Sequence, residues 1–119
     1  MREMRVPYLD LRVYDDELKK RLVNRFENIL DHGRFLGGPE QIEFEQKFAK
    51  EFGVKYALGV SSGSSALYLA LLALGVRPDD EVITTPYTWI ITTNAIAAAG
   101  ARPIFVDVLD DFNIDPIEI

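Results

Sequence analysis

Apolar residues at Leu18, Leu22, Phe26, Ile29 and Leu30 recur at steps of three and four, which predicts an amphipathic helix over Asp15–His32. Asp15 or Asp16 can accept from the free amides of its first turn, and Gly33 suits the left-handed stop. A second helix is predicted over Pro39–Phe52, with Pro39 where a missing N–H costs nothing, Phe44, Phe48 and Phe52 at intervals of four, and Gly53 after them. The short segment Arg34–Gly38 joins the two.

Beyond Gly53 the pattern changes. Tyr56–Val60, Val82–Thr84 and Pro103–Asp107 are short apolar runs of the kind that become strands covered on both faces. Between them lie two apolar helical stretches, Ala66–Leu74 stopped by Gly75 and Thr88–Ala99 stopped by Gly100. The expected fold class is therefore α/β: a helical segment over 1–53, then a parallel β-α-β-α-β segment over 54–119. No internal repeat, low-complexity tract or linker interrupts it.

The last residues read as a helix beginning, with Asp115 as cap, Pro116 at the first helical position and Glu118 in the first turn. A three-stranded parallel sheet also has uncovered edges. Together these predict the front portion of a larger α/β protein; the alternative is a frayed C-terminus.

Composition narrows the chemistry. The 119 residues carry 13 Lys plus Arg against 19 Asp plus Glu, a formal charge of −6, with one His and no Cys. A disulfide framework, thiolate metal sites and a Cys nucleophile are excluded. The acidic balance argues against a phosphate-backbone binder. The longest apolar stretch, Ala66–Val76, is about half of what a spanning helix needs, and no export signal is visible, so a cytoplasmic location is expected.

Two turns carry the candidate chemistry. Ser61-Ser62-Gly63-Ser64-Ser65 stands between an expected strand and an apolar helix. A helix N-terminus presents unpaired amides and partial positive charge, so it can hold an anion; Gly63 would let the backbone turn tightly, and Ser64 and Ser65 add hydroxyl donors. Plain helix capping is the competing explanation. Neither a Walker lysine nor a G-x-G-x-x-G fingerprint is present, and a sugar dehydratase is set aside on the expectation that it requires that fingerprint. The second turn is Thr84-Thr85-Pro86-Tyr87-Thr88-Trp89, which holds the only Trp. Parallel-sheet geometry puts it beside the serine turn, where the indole can stack on a flat ring whose phosphate sits on the serines. A Trp packed into the core, or at a subunit contact, is the alternative.

The ordered set Phe35-Leu36-Gly37-Gly38-Pro39-Glu40, Phe44-Glu45, Val60-Ser61-Ser62-Gly63-Ser64-Ser65-Ala66-Leu67, Asp80-Glu81-Val82-Ile83, Pro86-Tyr87-Thr88-Trp89 and Ala101-Arg102-Pro103-Ile104-Phe105-Val106-Asp107 resembles the DegT/DnrJ/EryC1/StrS aminotransferases. These are pyridoxal 5′-phosphate (PLP) enzymes of aspartate-aminotransferase fold that typically aminate nucleotide-linked keto-sugars. The resemblance runs from about Pro7 to Pro116, over roughly the first third of such a protein. It implies the N-terminal portion of the PLP-binding large domain, with Gly63, Ser64 and Ser65 at the cofactor phosphate and Trp89 on the pyridine ring. It also implies a nucleotide-sugar substrate, an amino donor such as glutamate, and a homodimer whose active sites are shared near Gly37 and Gly38. The family's Schiff-base lysine and the carboxylate facing the pyridinium nitrogen belong to later segments. The five lysines here, Lys19, Lys20, Lys47, Lys50 and Lys55, all precede the serine turn. No catalytic residue is assigned, and the chain alone is expected not to transaminate.

Other polar residues read as structural. His32 is expected to act at a helix end, Glu43 and Lys47 are spaced for an i,i+4 pair, Tyr56 and Tyr68 fit core or edge packing, and Asp107, Asp110 and Asp111 fit a strand end and turn rather than a metal. The alternative to the enzyme reading is a complete, non-catalytic α/β module that binds a partner or a phosphorylated metabolite.

Overall fold

The computed structural model describes residues 6–119, in two compact units divided between Gly59 and Val60. In the first, α1 spans Asp16–His32 and α2 spans Pro39–Glu51. Asp15 caps α1 by accepting from Leu18 N–H at 2.9 Å, and Gly33, at φ 66°, ends it in the left-handed conformation. Gly38 opens α2 just before Pro39. A Cβ at Gly38 would lie 2.5 Å from the Arg34 carbonyl oxygen, so this crossing of backbone admits glycine only. Along α2, Phe48 and Phe52 stack with centroids 4.4 Å apart, and Phe44 lies 5.7 Å from Phe48.

Polar contacts tie the two helices together. His32 Nδ1 accepts from Arg34 N–H at 3.0 Å, so the proton of the neutral ring is on Nε2, which faces Glu40 Oε2 at 3.1 Å. His32 thus stands in the last turn of α1, where it bonds the Arg34 amide beyond the helix and Glu40 of α2, while the end of the helix itself is closed by Gly33 N–H on the Ile29 carbonyl. Glu43 meets Lys47 at 2.5 Å, the expected i,i+4 pair, and Arg25 at 3.1 Å. Lys47 and then Arg25 hold the Glu43 carboxyl below its usual range.

Tyr56–Val60 departs from expectation. The segment is not a strand, because an extended run joins a sheet only when a neighbouring strand takes its N–H and C=O groups. Among the described residues no strand does so; Gly59 N–H instead donates to Glu45 Oε1 at 2.7 Å.

The second unit runs α3 (Gly63–Ala73), β1 (Glu81–Thr84), α4 (Ile91–Ala98), β2 (Arg102–Phe105). The two strands are parallel, with Glu81 opposite Arg102 and Thr84 opposite Phe105. Arg102 N–H donates to the Asp80 carbonyl at 2.7 Å and Val106 N–H to the Thr84 carbonyl at 3.0 Å, extending the ladder at both ends. The helix joining them, α4, packs on both strands and on α3. Ala95, Ile96, Ala99, Ala101 and Val106 form the buried centre, with the Thr84 side chain among them. Small residues on α4 let it lie close to its neighbours. Gly100, at φ 85°, ends that helix where an added Cβ would lie 3.2 Å from Pro78 Cγ. The architecture is α/β, with two paired strands in place of the expected three.

Two helix starts also differ from expectation. Helix α3 begins three residues before Ala66, since the Ser62 hydroxyl caps it. Helix α4 begins at Ile91 rather than Thr88, because Thr85 Oγ1 accepts from Tyr87 N–H at 3.1 Å and holds the preceding residues in a bend. After β2, Val108 and Ile114 form an antiparallel bridge. Asp115 Oδ1 then accepts from Ile117 N–H at 2.8 Å; residues 116–117 form a turn, not the helix start that the sequence predicts.

Candidate functional site

The serine turn is the N-terminus of α3. Ser62 Oγ accepts from Ser65 N–H at 3.1 Å, and the Ser62 carbonyl accepts from Ala66 N–H at 3.0 Å. The first-turn amides of Gly63 and Ser64 are the ones left without an intrahelical acceptor. Three hydroxyls gather beside them: Ser65 Oγ lies 3.0 Å from Ser61 Oγ and 3.1 Å from Ser62 Oγ. Amides, hydroxyls and the positive end of the helix dipole thus converge where an anion would sit. Gly63 corrects one expectation. It takes an ordinary helical conformation rather than a special turn, and a Cβ placed on it meets nothing within 4 Å. Its contribution is open space at the mouth of the helix.

From this mouth a shallow groove of about 280 Å³ runs between the two helices, lined by Ser64, Ser65 and Tyr68 of α3 and by Ile91, Asn94 and Ala98 of α4. That is just below the ~300 Å³ at which pockets begin to hold a whole small molecule, so it suits one end of a larger ligand. No acidic side chain lines it. Ser64 and Ser65 share the groove with Ile91 in the first turn of α4, and the Asp79 N–H that donates to the Gly100 carbonyl at 3.3 Å brings the segments that follow α3 and α4 to one end of the unit.

Trp89 stands two residues before that first turn. Its carbonyl accepts from Thr92 N–H at 3.0 Å, and its side chain is 77% exposed. Packing into the core is thereby excluded within the described residues. The indole does not itself line the groove; it belongs to the loop that enters α4 beside it.

Ser64 and Ser65 are brought to the groove, and Gly63 to its mouth. Sequence reasoning missed Ser62 as the cap, and it missed Asn94 and Tyr68 in the groove wall. The spacing Ser64-Ser65…Tyr68, an i,i+3 and i,i+4 set on one helix face, is the available signal for Tyr68. Asn94 carries none. All five lysines belong to the first unit; residues 60–119 contain none.

A family model, the DegT/DnrJ/EryC1/StrS aminotransferase family, matches residues 16–119. A dTDP-3-amino-3,4,6-trideoxy-alpha-D-glucose transaminase of Streptomyces venezuelae is 42% identical over 95% of this chain and 30% of its own length. A UDP-2-acetamido-2-deoxy-3-oxo-D-glucuronate aminotransferase of Pseudomonas aeruginosa is 35% identical over 93% of this chain and 31% of its own length. Among solved structures, ntda from Bacillus subtilis with bound cofactor pmp superposes with TM-score 0.88, at 36% identity over 98% of this chain and 27% of that one. An E. coli GDP-4-keto-6-deoxy-D-mannose-3-dehydratase with bound hydrated PLP superposes with TM-score 0.74, at 33% identity over 87% of this chain and 28% of that one. The dehydratase overturns one expectation: that activity also occurs on this fold with PLP, so the missing dinucleotide fingerprint does not exclude it. The chain spans about a third of the length of these relatives, and pyridoxal phosphate is the family's cofactor. With the match over residues 16–119 and the shared α/β architecture, the chain belongs to the DegT/DnrJ/EryC1/StrS aminotransferase family.

Proposed function

We propose that these residues are the N-terminal portion of a PLP-dependent aminotransferase that acts on nucleotide-linked keto-sugars in polysaccharide or amino-sugar biosynthesis. The observation that carries the reading is the pair of free amides on Gly63 and Ser64, set among three hydroxyls at the open end of a groove. That set fits a phosphate dianion: two amide N–H groups and hydroxyls that can each donate, with no carboxylate lining the groove. Gly63 and Ser64 hold phosphate oxygens through backbone N–H groups, and Ser64 and Ser65 add their hydroxyls. Trp89, exposed on the adjoining loop, covers one face of the pyridine ring and excludes water from it. Bound PLP supplies the electron sink for amino transfer. The amine that joins the cofactor to the protein comes from residues outside 60–119, so this segment binds without transaminating. A nucleotide-sugar substrate, an amino donor such as glutamate and a homodimer complete the reading, through the kinship with sugar aminotransferases.

The dehydratase relative supports a second reaction on the same site, since it too holds PLP. The aminotransferase relatives favour amino transfer.

Trp89 is the only Trp and reports directly on the ring. Titration with PLP quenches its fluorescence, and inorganic phosphate competes. Ser64→Asp places a charge that favours the helix start yet repels a phosphate; it leaves the helix content intact and weakens the quenching by about tenfold or more. Quenching that ignores both phosphate and Ser64→Asp overturns the site.

A further inference from the structure

Two loops leave the same end of the parallel pair. Thr84 closes β1 and leads into residues 85–90, which carry Trp89; its register partner Phe105 closes β2 and leads into a hairpin over 107–115. The hairpin is held from within. Leu109 N–H donates to the Asn113 carbonyl at 2.8 Å, Phe112 N–H to the Leu109 carbonyl at 2.8 Å, and Asp115 N–H to the Asp107 carbonyl at 3.0 Å. The loop before α4 has only local hydrogen bonds among the described residues, to Thr85 and to the first turn of that helix. Its lateral tie is a ring stack: Tyr87 lies on Phe112, with centroids 5.4 Å apart and planes inclined by 25°. Phe112 pays for this placement with φ 66°, a left-handed backbone that bulky residues rarely adopt. Both rings are about two-thirds exposed, so the stack adds little to the core.

We propose that Phe112 is a positioning residue for Trp89. The hairpin is the rigid member and the stack fastens the loop to it. Fixing Tyr87 fixes the direction in which the backbone presents the indole two residues later. The proposal rests on the reading of Trp89 as the ring-covering residue, and it is testable apart from it.

The fast component of the Trp89 fluorescence anisotropy decay, measured on the 119-residue chain without cofactor at one fixed protein concentration, reports the local motion of the indole on the nanosecond scale apart from the tumbling of the whole particle. Phe112→Ala lowers the anisotropy left after this component while the circular dichroism spectrum holds. Tyr87→Ala, from the other side of the stack, does the same. Phe112→Tyr retains the parent value. Phe112→Gly relieves the backbone yet behaves as Phe112→Ala, because the ring and not the φ angle is what matters. With PLP added, Phe112→Ala weakens the quenching by about threefold, the cost of a binding-competent loop that is less populated. Unchanged anisotropy in Phe112→Ala, or a parent-like value in Phe112→Gly, overturns the proposal. If the anisotropy falls as stated but PLP never quenches the parent, the fastening stands and the cofactor reading fails. If PLP quenches parent and Phe112→Ala alike with equal anisotropy, the reverse holds.

Discussion

Glu45 shows how one side chain can substitute for a missing strand partner. Its carboxylate accepts from Gln41 Nε2 at 3.0 Å and from Gly59 N–H at 2.7 Å, and these bonds, Gln41 first, hold its pKa below the usual glutamate range. The contribution is complete above the unfolded-state value of about 4.3 and is lost as pH falls through the lower folded value. Amide exchange at Gly59, read by NMR, therefore accelerates in that acid window beyond the intrinsic pH trend, and Glu45→Ala shows the faster exchange already at neutral pH. Gly38 is constrained differently, by the Arg34 carbonyl 2.5 Å from any Cβ. Gly38→Ala costs about 1–3 kcal/mol of overpacking, read as a lower denaturant midpoint. Gly63→Ala is the contrast. With open space around it and a helical backbone, it leaves stability within about 1 kcal/mol of the parent or above it, while at the proposed phosphate site the added methyl takes up that space and is expected to weaken PLP quenching of Trp89.

Helices α1 and α2 were legible to within a residue because their ends carry local chemistry: Asp15 and Gly33 for the one, Pro39 for the other. The start of α3 was misread because four serines offer several equivalent caps, and only the three-dimensional turn selects Ser62. Ser62→Ala removes that selection and costs about 1 kcal/mol, seen as a loss of helical ellipticity and a lower melting temperature. The strand expected over Tyr56–Val60 failed for a different reason. Pairing is non-local, and an apolar pentapeptide says nothing of whether a neighbour stands beside it. The groove was half legible on the same grounds. Ser64 and Ser65 announce themselves at a helix mouth, whereas Tyr68 and Asn94 matter only because α3 and α4 lie side by side. The Tyr87–Phe112 contact joins residues of two separate loops, and no periodicity marks it.

Many large apolar side chains of the described residues are open to water. No large side chain among the described residues is fully buried, and Leu67, Leu69, Leu72 and Leu74 around α3, with Ile83 and Phe105 on the strands, are each more than two-fifths exposed. On α1, Leu18, Leu22, Phe26 and Leu30 make an apolar stripe that is also open. At about 25 cal/mol for each Å² removed from water, such surface drives association unless another part of a protein covers it. The outer sides of β1 and β2, unpaired among the described residues, add backbone groups with the same tendency. The chain by itself therefore binds a hydrophobic dye such as ANS strongly, and its sedimentation coefficient rises with concentration. A family member missing the covering surfaces requires that behaviour. A self-sufficient binding module requires the opposite: weak dye binding, one monomeric species at every concentration and a sharp cooperative melt. Sedimentation velocity over a hundredfold dilution series, about 2.7 kcal/mol of mass action, separates the two, and a monomer throughout would remove the support for reading these faces as halves of a larger enzyme.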